Sequence, residues 1–322
     1  MSNMVEKKTE YRIGIDIGGT NVKFGIIDRY NNLIAKNSIK TQVSLGWEKI
    51  IENIGIGVRE LLEIKGIEIK KCESMGVGSP GVVDHKNGVL IYSNNLRWEN
   101  VPLIKELNRY IDLPTKASND ANCAALGEVV AGRAKGYEDV VMITLGTGVG
   151  GGIVADGNLF EGGIGGVEVG HMVLVVDGIK CTCGRNGCFE SYASATALVR
   201  ESVKAAKENP KSLMNKMLSG NLERMNGAIP FEAAQKGDIV GKKVVDNYIK
   251  YLGEGIIDMI NIFRPEIILL SGGICNQGKN LTDPLNDYVK KYTYAGSRIY
   301  IPPVEVATLG NDAGLIGAAN LK

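Results

Sequence analysis

The sequence predicts an α/β protein built from two similar parts. Three observations predict it. Short apolar runs ending in glycine turns alternate with stretches of helical periodicity, the pattern of sheets covered by helices. One strand–turn–strand segment returns later in the chain. The 322 residues also exceed one ordinary domain, at about 100–200 residues per domain.

Tyr11 to Asp16 reads as a short apolar strand running into Gly18-Gly19-Thr20, and Val22–Asp28 and Leu33–Lys40 read as the next two strands. Trp47 to Leu62 is helical, with apolar residues at Ile50, Ile51, Ile54, Val58, Leu61 and Leu62. Ser74 to Val77 is a strand entering the turn Gly78-Ser79-Pro80-Gly81. Asn119 or Asp120 caps a helix through Ala121 to Ala131. Further helices are expected within Ala193–Glu208 and Ile239–Phe263 and around Ala313–Leu321. Glu266 to Leu270 is a buried strand ending in Ser271-Gly272-Gly273.

The repeat aligns the first strand and its glycine turn with residues 142–148, at a constant offset that puts Gly18 on Gly146, Ile26 on Val154 and Asp28 on Asp156. Two halves would each offer a glycine hairpin to one ligand. They would not do equal chemistry, because Asp16 falls on Thr144.

Composition narrows the function. Glycine is the outlier at 42 residues, roughly 13% against an average near 7%. Lys plus Arg number 37 against 36 Asp plus Glu, a net charge of +1, so no basic excess points to nucleic acid or a membrane surface. The polar N-terminus lacks a signal peptide, and the most apolar segment, Val140 to Ala155, is too short to span a membrane and is broken by glycines. A cytoplasmic protein is expected.

Two glycine motifs mislead. Gly146 to Gly151 fits G-x-G-x-x-G, but Gly152 to Ala155 continues as strand, leaving no helix N-terminus for a pyrophosphate. Gly273 to Lys279 resembles a P-loop, but Asn280 lacks the hydroxyl that Mg²⁺ needs.

Asp16 beside Gly18, Gly19 and Thr20 places a carboxylate at a turn whose backbone N–H groups suit phosphate oxygens. Such a carboxylate makes sense if it holds Mg²⁺, directly or through water, and Lys23 could reach the same oxygens. Gly146-Thr147-Gly148 forms the matching second hairpin. Cys181, Cys183 and Cys188, with glycines between, match a knuckle around a structural zinc whose fourth ligand is His171. Glu168, Glu190, Asn119 and Asp120 suit a polyol, whose hydroxyls need acceptors.

With Asp-Ile-Gly-Gly-Thr at 16–20, Asn-Asp-Ala-Asn at 119–122, Glu168-Val169-Gly170-His171 and the run from Cys181 through Cys188 to Glu190, the sequence resembles the ROK family of sugar kinases. The resemblance spans nearly the whole chain, to Gly310–Gly314, and the run from Glu190 to Thr196 is most similar to the bacterial glucokinase branch. It implies an actin-like (ribonuclease H-like) fold of two α/β domains around a nucleotide and sugar cleft. The expected domains are 1–118, to which a C-terminal helix at about 311–322 returns, and 119–310, which carries the zinc knuckle.

By the same resemblance Asp120 is the catalytic base. Asn119, Glu168, His171, Glu190 and Gly81 hold the sugar. Asp16, Gly18, Gly19, Thr20, Asn21, Lys23, Gly146, Thr147 and Gly148 hold the phosphates of Mg-ATP, and Ser271, Gly272 and Gly273 lie near the adenosine. Glucose and ATP are the implied substrates, a homodimer or homotetramer the implied assembly. A kinase for fructose, mannose or an N-acyl hexosamine is the alternative within the class. A sugar-sensing regulator is the alternative outside it, disfavoured by the roughly ten residues ahead of the first strand, too few for a helix-turn-helix.

Overall fold

The computed structural model describes residues 10–322, so the N-terminal stretch on which the signal-peptide expectation rests lies outside the described residues. The chain forms two compact units. The first comprises residues 10–138, 152–167 and 308–322, and the second residues 139–151 and 168–307.

In the first unit β1 (Tyr11–Ile17) and β2 (Asn21–Asp28) form a hairpin, extended by β3 (Leu33–Lys40). Ile13, Ile15 and Ile17 alternate into the core, as one buried strand face requires. Helix α1 (Trp47–Ile64) buries the six apolar positions of its expected stripe. Then come β4 (Cys72–Ser79), parallel to β1, and a small antiparallel sheet of β5 (Val82–Asp84), β6 (Val89–Ser93) and β7 (Trp98–Val101). After α2 (Leu103–Leu107), β8 (Thr115–Asn119) pairs parallel with β4 and leads directly into α3 (Asp120–Ala131). The strand order is β3-β2-β1-β4-β8.

In the second unit β9 (Val140–Leu145) turns into β10 (Val149–Ala155), whose end runs on into the first unit and pairs there with β11 (Asn158–Leu159). The strand β10 follows Gly146-Thr147-Gly148 without a helix, so the dinucleotide motif is an accident of spacing. The expected helix within Ala193–Glu208 is α5 (Ala195–Glu208), preceded by the one-turn α4 (Glu190–Ala193) and separated from it at Ser194, whose side chain caps α5 by accepting from Ala197 N. Two short helices, α6 (Leu213–Met217) and α7 (Ile229–Gln235), precede α8 (Ile239–Phe263), which packs on α5 and α7. The strand β12 (Ile267–Ser271) lies parallel to β9, and after α9 (Lys279–Tyr292) β13 (Val304–Val306) pairs with β12.

The chain closes with α10 (Ala313–Ala318), which packs in the first unit on α3, β1 and β4. That docking depends on missing side chains. A Cβ on Gly76 would lie 1.7 Å from the Ala318 carbonyl, and one on Gly317 1.6 Å from the Cys123 carbonyl. The expected boundary at 118/119 does not coincide with the observed division, because α3 packs on β4, β8 and α10 and so belongs to the first unit. No helix among the described residues is long and apolar enough to cross a membrane.

Candidate active site

The expected site residues sit where parallel strands end, the edge at which α/β sheets present ligand sites. In the first unit the register aligns Asp16 with Gly78 and Ser79 with Asn119, so β1, β4 and β8 deliver their ends side by side. In the second, Ser271 aligns with Thr144, which puts the end of β12 beside the turn after β9.

At the first hairpin Gly18 N donates to Asn21 O (3.0 Å) across the turn holding Gly19 and Thr20. Thr41 ties the turn from outside: its hydroxyl donates to Gly18 O (2.6 Å) and its N–H to Thr20 O (3.0 Å). Lys23, opposite Asp16 in the register, places Nζ 3.3 Å from Asp16 Oδ2. Burial pushes the Asp16 carboxyl above its ordinary value, and Lys23 opposes that shift by charge and hydrogen bond.

Asn119 caps α3, its Oδ1 accepting from Ala121 N (2.8 Å), and its Nδ2 donates to Gly81 O (3.1 Å). The structure therefore joins Asn119 with Gly81, whose φ of +107° and contact with Tyr92 O favour glycine. Asp120 opens the first turn of α3, where Oδ1 also accepts from Ala121 N (2.9 Å). Below lies the fully buried Cys123, whose thiol is pushed far up by burial and then by the charges of Asp120, Asp16 and Glu161. That shared influence places Asp16 and Asp120 in one acidic neighbourhood. Ser118, one residue before Asn119, donates to Glu161 Oε1 (2.5 Å) and accepts from Asn122 Nδ2 (3.3 Å).

In the second unit Gly146 N donates to Gly148 O (3.0 Å). The start of α5 ties this hairpin: Ala195 N donates to Gly146 O (2.9 Å) and the Thr196 hydroxyl to Thr147 O (2.8 Å). Glu190 lies against the same turn. Its Oε2 accepts from Val149 N (3.1 Å), and a Cβ on Gly148 would fall 2.1 Å from that oxygen. Its Oε1 accepts from the Thr182 hydroxyl (3.2 Å) and lies 3.6 Å from Cys181 Sγ. At the end of β12, Gly272 has φ +106° and packs on Leu145 O, while the Cβ side of Gly273 faces open space.

Cys181, Cys183, Cys188 and His171 bring their ligand atoms within 4.8 Å of one another. Cys183 Sγ lies 3.6 Å from Cys188 Sγ, and Cys181 Sγ 3.7 Å from His171 Nδ1. Tetrahedral zinc separates such ligands by about 3.5–3.8 Å, so this donor set fits zinc. The Arg185 backbone N–H lowers the Cys183 thiol, while burial and neighbouring thiols raise Cys188. Glu168 immediately precedes the turn carrying His171; burial raises its carboxyl, His171 opposing and Glu190 reinforcing the shift.

Asn119, Asp120, Gly81, Asp16, Gly18 to Asn21 and Lys23 thus lie in the first unit. Glu168, His171, Glu190, the cysteines, Gly146 to Gly148 and Ser271 to Gly273 lie in the second. Sequence reasoning missed Thr41, Thr182 and Thr196. Thr41 stands outside every motif, while Thr182, inside the Cys-x-Cys turn, and Thr196, at the end of the run from Glu190, sit within motifs whose other residues drew the attention.

The ROK family profile matches residues 12–322. A glucokinase of Thermotoga maritima is 36% identical over 311 residues, covering 96% of each chain. A ROK family glucokinase from Streptomyces griseus, solved with glucose and AMPPNP, superposes with a TM-score of 0.78 at 33% identity, covering 96% of this chain and 98% of that one. A xylose repressor of Caldicellulosiruptor bescii is 26% identical over 315 residues, 97% of this chain and 78% of the repressor. The fold shared with the solved kinase is the actin-like one that the resemblance implied.

Proposed function

The chain belongs to the ROK family, and from that premise we propose that it is a glucokinase, transferring the γ-phosphoryl group of ATP to the 6-hydroxyl of glucose. One observation carries the reading. Glu190 touches the cysteine cluster with one carboxylate oxygen and the second glycine hairpin with the other. Groups suited to a polyol are thereby joined to amides suited to phosphate.

Asp120, at the start of α3, takes the proton from the sugar 6-hydroxyl as that oxygen attacks in line; Asn119 and Gly81, held by their mutual hydrogen bond, orient the sugar beside it. Glu168, His171 and Glu190 accept or donate to the remaining hydroxyls. Backbone N–H groups of Gly18 to Asn21 and of Gly146 to Gly148 meet the phosphates, and Ser271 to Gly273 receive the adenosine. Asp16 would hold the magnesium that accompanies ATP, which would neutralise phosphate charge, and Lys23, beside Asp16, would reach the same phosphate oxygens. His171 Nδ1 and the three cysteines would hold a structural zinc, which would fix the loop that presents Glu168 and Glu190 and leave His171 Nε2 for a sugar hydroxyl. A homodimer or homotetramer is the assembly this reading carries.

ADP release from Mg-ATP across a panel of hexoses tests the proposal, with D120N and D120A in parallel. Turnover is expected with glucose and a fall of at least about 10²-fold in either variant. Preference for fructose, mannose or an N-acyl hexosamine would keep the mechanism and change the substrate. A D120N enzyme near full turnover would remove Asp120 as base. Sugar binding without turnover on any hexose would favour the sugar-sensing reading that the xylose repressor relative suggests.

A further inference from the structure

The two glycine hairpins share a feature that their sequences do not advertise. In each, a threonine hydroxyl from a different element bonds a carbonyl of the turn: Thr41 to Gly18 O (2.6 Å) and Thr196 to Thr147 O (2.8 Å). In each, the same element also supplies a backbone N–H to a second carbonyl of the turn, Thr41 N to Thr20 O and Ala195 N to Gly146 O.

Peptide geometry gives these bonds a consequence. A trans peptide is planar, with its C=O and the following N–H pointing in opposite directions. In the second hairpin two successive carbonyls, Gly146 O and Thr147 O, are held on the α5 side. The N–H groups of Thr147 and Gly148 must then point away from α5, and neither has a hydrogen-bond acceptor among the described residues. Two adjacent donors aimed the same way are a concavity for an anion. The same logic at the first hairpin aims Gly19 N–H away from Thr41. Next to the aimed pair, Val149 N is already occupied by Glu190.

We infer that Thr196 and Thr41 are positioning residues for the phosphates of the nucleotide: they touch no ligand themselves but fix the peptide planes whose N–H groups bind it. The inference rests on the kinase reading above. It gives each half its own brace, from α5 in one case and from the residue after β3 in the other.

The test is steady-state kinetics of the full chain with Mg-ATP and its best hexose, for wild type, T196V and T196S, with AMPPNP affinity measured separately. Thr196 has an exposed side chain, so valine there should fold normally, which a melting curve checks. T196V should raise KM for ATP and weaken AMPPNP binding by about three- to tenfold, the effect of one lost hydrogen bond. KM for the hexose should stay within about twofold, and T196S should recover most of the loss. T41S against T41V repeats the comparison at the buried position, with the serine variant holding the hydroxyl if valine proves unstable. T196V indistinguishable from wild type, or equal losses for nucleotide and hexose, would overturn the positioning role. AMPPNP binding by wild type without phosphorylation of any hexose would instead count against the kinase reading, and the T196V effect on AMPPNP would still decide the positioning role.

Discussion

The hairpin at residues 18–21 and the one at 146–148 are the same device carrying different chemistry. Both follow a strand with a parallel neighbour, both close with a bond from their first glycine N–H, and both are tied by a threonine hydroxyl. Around that common backbone the charges are placed only once. The first has Asp16 paired with Lys23. The second has Thr144 in the aspartate's place, and its carboxylate, Glu190, arrives from α4 and reaches back to the cysteine cluster. The duplicated part is thus the backbone, which suits phosphate from either side. The single parts are those that the proposed reaction would need once: a carboxylate to hold the cation, and a link to the loop proposed to bind the sugar.

The largest effect should come from breaking that asymmetry at its charged side. D16N, with nearly unchanged shape, is expected to lower kcat by about 10²-fold or more while leaving the fold intact, since electrostatic stabilisation of the transferring group is at stake. T144V, at the equivalent position of the second hairpin, should stay within about threefold. Similar losses in both variants would mean that the two hairpins share the cation and that the asymmetry is decorative.

A smaller effect should separate the hairpins by their support. Among the described residues only the second is connected to the cysteine cluster, through Glu190 and Thr182. Stripping zinc with a chelator, or replacing Cys183 by serine, is expected to lower the melting midpoint by on the order of 5 °C or more. Hydrogen exchange should accelerate at residues 147–149 and not at 19–21. Metal analysis of the purified protein should find about one zinc per chain, and protection that is lost equally at both turns would show that the cluster stabilises the whole molecule rather than one hairpin.

How much of this was legible in sequence follows from the range of the interactions. The hairpins and the knuckle are local: Gly18 bonds Asn21, and Cys181 N bonds Arg185 O, so spacing alone announces them. The capping of α3 by Asn119 is equally local. The docking of α10 is not, because it depends on glycines at 76 and 317, far apart in the chain, each leaving room for the other element's backbone. The small sheet of β5, β6 and β7 was missed because its strands are only three to five residues long and sit among turn-forming residues. Glu190 could be read as a sugar ligand from its motif, but its bond to Val149 N joins residues 41 apart and needed coordinates.

The finest distinction between the hairpins is electrostatic. Burial raises the Asp16 carboxyl above its ordinary value, and Lys23 opposes that rise by charge and hydrogen bond, so the lysine favours the ionised carboxylate. In K23M the desolvation remains and the opposing charge is gone, so the Asp16 value must rise further. Because the ionised carboxylate is the form that would hold magnesium, the acidic limb of kcat/KM for ATP should move to higher pH. The variant should fall below wild type chiefly on the acid side. Loss of the lysine's own contact with phosphate would instead lower the rate evenly at every pH. An unshifted limb with a uniformly lower rate would therefore assign Lys23 to the nucleotide rather than to Asp16, and would place the positive charge of the first hairpin on the ligand side of the turn.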